Sequence, residues 1–187
     1  MEKSEIERRF LIKNNILEKI NLKNEIRIIQ GYYHYKRLKK FNCLKNILKE
    51  NNFFVDKIIR VRVEDKRRVF LTIKIGDGLI RKEYEIELDF EKELYDFLID
   101  DKKIITKHRS EFYIKKQKII LDRFMKRYRG LKIVEIEFDD KNQAEKFIPC
   151  KDFIEITSVK ELSNLNLYLS DEKKIFNLIG ELYENKN

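Results

Sequence analysis

The sequence predicts an α+β fold that is mainly antiparallel β, and three observations support this. Apolar and polar residues alternate with period two in short runs through most of the chain. Charged or glycine-containing turns divide those runs. Several runs also carry charge on one face and aliphatic side chains on the other, because residues i and i+2 of a strand share a face.

In chain order, the first strand is expected over Glu5 to Ile12, with Glu5, Glu7 and Arg9 on one face and Ile6, Phe10 and Ile12 on the other. Strands follow over Glu25 to Tyr35, over Lys57 to Glu64 (Arg60 and Arg62 against Ile59, Val61 and Val63) and over Arg68 to Ile75. The next, Leu79 to Leu88, aligns Arg81, Glu83, Glu85 and Glu87. Gly76-Asp77-Gly78 supplies the permissive backbone for a hairpin before it. Further strands are predicted over Ile104 to Tyr113 (Lys107 and Arg109 aligned), Lys118 to Phe124, Leu131 to Phe138 (Glu135 and Glu137 against Val134, Ile136 and Phe138) and Phe153 to Thr157.

Helical spacing predicts covers over the sheet at Phe90 to Asp100, Asp140 to Phe147 and a C-terminal helix at about 165–183. A fourth helix is expected at Lys36 to Glu50. There Leu38, Phe41, Leu44 and Ile47 or Leu48 form an apolar stripe backed by Lys36, Arg37, Lys39, Lys40 and Lys45.

The 187 residues fit one domain, 1–187, and a hydrophobic fraction of 42% suffices for a packed core. The formal charge of +9 attracts anions, whether nucleic acid, an anionic membrane or a phosphate-rich small molecule. Cys43 and Cys150 have neither CxxC spacing nor a histidine pair nearby, which argues against a zinc site or a disulfide framework. The N-terminus lacks a basic-then-apolar signal and no apolar run reaches membrane-spanning length, so a cytoplasmic protein without a membrane span is expected.

The aliphatic faces must be buried. In an open sandwich the charged faces would look at water, which is the ordinary outcome for any single strand. Alternatively the sheet closes, helices cover the apolar outside and the charges line an interior channel. Neither sign is buried cheaply alone, so acids and bases there must pair or hold ligands. Carboxylates offer hard oxygen ligands for Mg²⁺ or Mn²⁺, and Lys and Arg offer donors for phosphate oxygens. Two Glu-x-Glu pairs and two basic pairs in so short a chain favour this second arrangement.

The same residues carry a resemblance to a known family. Glu5-Ile6-Glu7-Arg8-Arg9 resembles the ExExK signature of CYTH domains, the triphosphate tunnel metalloenzymes, with Arg9 where lysine is usual. The similarity continues in order through Gln30-Gly31-Tyr32, Arg60-Val61-Arg62, Leu71-Thr72-Ile73-Lys74 and Arg81-Lys82-Glu83-Tyr84-Glu85-Ile86. Later come Lys107-His108-Arg109, Leu121-Asp122-Arg123-Phe124, Val134-Glu135-Ile136-Glu137-Phe138, Phe147-Ile148-Pro149 and Glu155-Ile156-Thr157.

The resemblance implies a closed, eight-stranded-type tunnel barrel with a charged interior and covering helices. It implies that Glu5, Glu7, Glu135 and Glu137 ligate Mg²⁺ or Mn²⁺, with Asp122 at a second metal. It assigns Arg9, Arg60, Arg62, Lys74, Arg81, Lys107 and Arg109 to the phosphate chain. Glu83 or Glu85 would orient the basic residues or assist metal binding, and Tyr32 would donate to a phosphate oxygen. The group expected to act in catalysis is therefore Glu5, Glu7, Arg9, Tyr32, Lys74 and Glu85. Two segments depart from the family pattern: Ser158-Val159-Lys160-Glu161-Leu162 replaces a charged segment ending in Tyr, and the basic insertion at about 36–54 is longer than in compact relatives.

Short bacterial relatives are inorganic triphosphatases, while others hydrolyse thiamine triphosphate or cyclise ATP. Metal-dependent hydrolysis of tripolyphosphate, or of a nucleoside or thiamine triphosphate, is the first expectation. The alternatives are a class IV type adenylate cyclase and a non-catalytic polyphosphate- or nucleotide-binding module. Nucleic acid is a poor fit, since neither an RNA-recognition motif nor a Walker loop is present. The insertion reads either as a helix packed on the barrel or as a surface helix for a membrane, nucleic acid or partner. Pairing of two barrels as a homodimer stays open.

Overall fold

The computed structural model describes residues 2–12, 25–50, 57–75, 80–114 and 117–185, and within them every side chain but those of 2–5, 74–75, 80–82 and 114. The strands among these residues are β1 Glu2–Ile12, β2 Glu25–His34, β3 Ile58–Glu64, β4 Arg68–Ile75, β5 Ile80–Asp89, β6 Ile105–Ile114, β7 Gln117–Phe124, β8 Lys132–Glu137 and β9 Phe153–Glu155. Each strand that the alternation predicts is present, with its ends moved by a few residues. The Gly76-Asp77-Gly78 hairpin lies outside the described residues.

The strands form one antiparallel sheet in the order β5-β4-β3-β2-β6-β7-β8-β1-β9. β1 divides its pairing along its length. Glu2 to Ile6 pair with Tyr84 to Ile80 of β5, Glu7 to Leu11 pair with Glu137 to Ile133 of β8, and Phe10 to Ile12 also pair with β9. β1 therefore meets both ends of the run from β5 to β8.

The β3–β4 connection is a three-residue turn, Asp65 to Arg67, with positive φ at Asp65 (47°) and Lys66 (56°), and in it the Arg67 amide donates to the Glu64 carbonyl at 2.9 Å. Positive φ at these two residues matches the right-handed twist of the flanking strands. The Asp65 carboxylate accepts from the Arg27 amide at 2.9 Å and ties the turn to β2.

The helices are α1 Tyr35–Leu38, α2 Asn42–Glu50, α3 Lys92–Ile99, α4 Lys141–Lys146, α5 Asn164–Leu169 and α6 Glu172–Glu184. Two expected helices are each broken in two. The C-terminal one divides because Asp171 accepts from the amides of Lys173 and Lys174, starting α6, while Ser163 caps α5. Good capping residues there outweigh an apolar period that runs on without interruption. Lys36 to Glu50 divides because the Phe41 amide turns back onto the Leu38 carbonyl (3.1 Å), which lets both side chains point inward.

Three apolar clusters hold these layers. α1, α2 and α3 cover the aliphatic face of β2 to β5 with Leu38, Phe41, Leu44, Leu48, Leu94 and Leu98 against Ile59, Val61, Val69 and Leu71. Burying a leucine of this kind contributes about 1.5–3 kcal/mol. The stripe of the basic insertion is spent on this packing, so a free apolar face for a membrane or partner is absent from the described part of that segment. α4 covers Phe10, Leu121, Val134 and Ile136 through Ala144. The third cluster joins Leu11, Ile105, Phe124 and Ile133 to Leu162, Leu167, Tyr168, Ile175 and Ile179. No helix among the described residues is long and apolar enough to cross a membrane.

Candidate functional site

Residues opposed in an antiparallel pair share a face, so the registers carry one face around the whole sheet. Glu7 opposes Glu137 and Arg9 opposes Glu135. Glu135 opposes Ile120, two residues from Asp122, and Asp122 opposes Arg109. Lys107 opposes Ile28, two positions along β2 from Gln30 and four from Tyr32; Tyr32 opposes Arg60, Arg60 opposes Thr72, and Thr72 opposes Glu85. Lys74 opposes Glu83 and Arg81 opposes Glu5. Every residue that the sequence singled out thus occupies one face. The side chains of Glu5, Lys74 and Arg81 lie outside the described residues, so only their backbone register is given.

This face is not a solvated one. Arg9 and Glu7 are 5% exposed, Arg60, Glu83 and Glu135 7%, and Lys107 and Asp122 1%. Buried charge of both signs requires pairing, and two networks supply it.

In the first, Arg60 Nη2 donates to Glu83 Oε1 (2.6 Å), Glu85 Oε2 (3.1 Å) and Thr72 Oγ1 (2.9 Å). Arg62 Nη2 donates to Glu85 Oε2 at 3.2 Å. Glu85 is held in turn by the Thr72 hydroxyl, which donates at 2.9 Å. Burial alone would lower Arg60, but Glu83, Tyr32 and Glu85 outweigh it and hold the guanidinium above its ordinary value. Burial and the neighbouring Arg60 pull Arg62 down, with Glu85 and Glu64 opposing.

In the second network, Asp122 Oδ2 accepts from Lys107 Nζ at 2.5 Å and from Arg109 Nη2 at 2.7 Å, and its Oδ1 accepts from Arg109 Nε at 2.8 Å. Arg109 also reaches Glu135 Oε2 at 3.0 Å, and Arg9 Nε lies 3.5 Å from Glu135 Oε1. Burial would raise Asp122, but Arg109 and Lys107 outweigh it and hold the carboxyl below its usual range. Burial dominates at Lys107 and draws it down to about 8, against the pull of Asp122. Arg109 is driven well above its ordinary value by Asp122 and Glu135, despite its burial.

The Nε–H groups of Arg9, Arg60 and Arg62 are buried and make no hydrogen bond among the described residues, although Glu135 lies 3.5 Å from the first and Glu64 3.3 Å from the last. Glu137 sits further along β8, with Lys118 Nζ 3.4 Å from its Oε2. No group of three or more His, Cys, Asp or Glu among the described residues is placed to hold a cation. His108 projects to the opposite face, where Glu25 meets both its Nδ1 and Arg123.

Sequence reasoning missed Thr72, Glu64, Lys118 and Asn164. Thr72 is two residues from Lys74, and Glu64 two from Arg62, so the alternation that found their neighbours reaches them as well. Lys118 follows from the register with Glu137. Asn164 has no such signal, because it enters from a segment remote in sequence.

No protein-family model matches the chain, and no curated protein matches it. Solved structures do. Two structures of NE1496, one described as a hypothetical protein and the other as an inorganic triphosphatase, align over 89% of this chain and 99% of theirs. Their TM-scores are both 0.59, at 25% and 24% identity. A Bacillus halodurans protein named after adenylate cyclases aligns over 89% of this chain and 91% of its own, with a TM-score of 0.51 and 13% identity, a likeness of fold alone. The fold is CYTH-like.

Proposed function

We propose that the chain is a divalent-metal-dependent triphosphatase that hydrolyses inorganic tripolyphosphate, or a related triphosphate, inside a barrel closed by β1 between β5 and β8. The observation that carries this reading is the Arg60 Nε–H, buried without a hydrogen bond among the described residues, beside the Nε–H groups of Arg9 and Arg62, which have only carboxylate oxygens at 3.5 and 3.3 Å. A buried donor without a partner is costly unless a ligand completes it. Phosphate oxygens are suitable acceptors, and arginine is well shaped to meet them. The description of NE1496 as an inorganic triphosphatase points the same way.

Arg9, Arg60, Arg62, Lys107 and Arg109 would bind the phosphate chain, with Lys74 and Arg81 adding to them from β4 and β5. Glu83 and Glu85 hold Arg60 and Arg62 in place before any ligand arrives. Tyr32, opposite Arg60, would donate to a phosphate oxygen. The donor set offered to Mg²⁺ or Mn²⁺ is Glu5, Glu7, Glu135 and Glu137, whose hard carboxylate oxygens on adjacent positions of β1 and β8 suit either ion. Such an ion would neutralise phosphate charge and polarise the attacked phosphoryl group. Asp122, committed to Lys107 and Arg109, serves better as their anchor than as a ligand. Water adds to a terminal phosphorus, the bond to the bridging oxygen breaks, and orthophosphate and pyrophosphate leave. For the protein this is chiefly a matter of positioning and charge neutralisation.

The test is phosphate release from tripolyphosphate, ATP and thiamine triphosphate with Mg²⁺, Mn²⁺ or EDTA, scoring cyclic AMP in the ATP reactions. Metal-dependent release, greatest with tripolyphosphate, supports the triphosphatase. Cyclic AMP with pyrophosphate would replace it with a cyclase, and binding of tripolyphosphate without turnover would replace it with a non-catalytic sensor.

A further inference from the structure

One stretch of chain beyond the strands touches three residues of the charged face. The Leu162 carbonyl accepts from Arg9 Nη2 at 2.6 Å, and Asn164 Oδ1 accepts from Lys107 Nζ at 3.4 Å. Tyr168, one turn further along α5, lays its ring 5.5 Å from the ring of Tyr32. The segment that closes the apolar third cluster thus also reaches three candidate phosphate contacts at once.

The same stretch is fastened from outside the sheet. The Tyr168 hydroxyl donates to Asp101 Oδ2 at 2.6 Å, and the Tyr33 hydroxyl donates to that same oxygen at 3.0 Å. The other carboxylate oxygen of Asp101 accepts from the Lys103 amide at 2.9 Å, which fixes the acid in the turn after α3. Burial and Asp101 push both phenols well above their ordinary value, so both remain donors at any working pH. Gly31 makes room for this arrangement, because a side chain there would collide with the Tyr33 ring.

We infer that Tyr168 and Asp101 are positioning residues for the reaction proposed above, on which this inference rests: Asp101 fixes Tyr168, and Tyr168 fixes Tyr32 and the segment that steadies Arg9 and Lys107. Neither residue touches the phosphate chain. Both set the geometry of groups that do, and displacement of reacting groups by an ångström costs rate rather than affinity.

The test is steady-state hydrolysis of tripolyphosphate with Mg²⁺ by the full chain and by Tyr168→Phe, Tyr168→Leu, Asp101→Ala and the Asp101→Ala/Tyr168→Phe double variant, each assayed well below its melting temperature. Tyr168→Phe keeps the ring and loses only the bond to Asp101; its kcat should fall about tenfold while KM stays within about twofold. Tyr168→Leu should lose more. The double variant should be no slower than the slower single, since Asp101→Ala already breaks the bond that Tyr168→Phe removes. Wild-type kcat in Tyr168→Phe, with only its melting temperature lowered, would reduce the pair to a structural clasp and overturn the inference, and so would additive losses. Either result would leave the triphosphatase reading standing. A wild type without turnover would overturn that reading and this inference together.

Discussion

Lys107 Nζ lies 2.5 Å from Asp122 Oδ2, and both side chains are 1% exposed. Two opposite charges buried that deeply hold each other, and Arg109 joins them with two further hydrogen bonds. Among the described residues, removing the acid leaves Lys107 with only the Asn164 oxygen at 3.4 Å and Arg109 with only Glu135 at 3.0 Å. Asp122→Ala is expected to cost about 3–5 kcal/mol, read as a lower midpoint in urea unfolding. Asp122→Asn, which keeps acceptor oxygen in place, should cost less.

The same cluster sets two pH windows. The Asp122 carboxyl is held below its usual range, so its stabilisation is present above the unfolded value and is lost as pH falls below about 4. The melting temperature should drop through that window, and more steeply than in Asp122→Asn. Lys107 lies below its unfolded value, at about 8. The unfolded chain then holds the extra proton between that point and the ordinary lysine range, so this group's contribution to stability rises with pH there. Its attraction for phosphate fades in the same window. The pH profile of kcat/KM for tripolyphosphate should fall above about 8, and Lys107→Arg should push that limb to higher pH.

Glu137 and Glu5 are the acids by which metal dependence is best tested. Glu137→Gln keeps shape and removes one negative charge from the donor set. Metal-dependent phosphate release should fall at least about a hundredfold, on the scale of losing a charge-stabilising group, with an unchanged circular dichroism spectrum. Glu5→Gln should behave alike. Full activity in either would exclude that carboxylate as a ligand.

Gly31→Ala inserts a methyl group where the Tyr33 ring lies. An overpacked site of this kind typically costs about 1–3 kcal/mol. The variant should show a lower melting temperature and, because Tyr33 shares Asp101 with Tyr168, a lower kcat as well.

Leu44 is fully buried where α2 meets the outer face of the sheet. Leu44→Ala should destabilise by about 2–5 kcal/mol, measured by urea unfolding. A surface helix awaiting a partner would tolerate the change.

The faces of the strands were legible in the sequence because a period of two is a local property. Glu7, Arg60, Lys107 and Glu135 could be sorted to the charged side without knowing which strand lies beside which. Their enclosure was expected from the two Glu-x-Glu and two basic pairs, but the strand pairing that produces it was not legible. The enclosure depends on β1 joining β5 as well as β8, a relation between distant segments that no local pattern encodes. The partner of each charge was hidden for the same reason: Asp122 reads as a metal ligand by resemblance, whereas Lys107 and Arg109 surround it in space. The breaks at Lys39–Phe41 and Ser170–Asp171 were missed because the apolar spacing continues across them, and only the capping chemistry marks the stop.

The divided pairing of β1 also bears on how the chain reaches its fold. Residues 2–6 wait for β5, and residues 7–12 wait for β8 and β9, which follow only at residues 132–137 and 153–155. Loop closure over such separations is slow, and β1 would complete its hydrogen bonding among the last of the strands. During synthesis it would emerge before the other strands of this sheet and stand unpaired the longest of them, with Phe10, Leu11 and Ile12 uncovered. Its charged Glu5, Glu7, Arg8 and Arg9 would then guard a nascent strand against association with other chains, well before the site meets a phosphate.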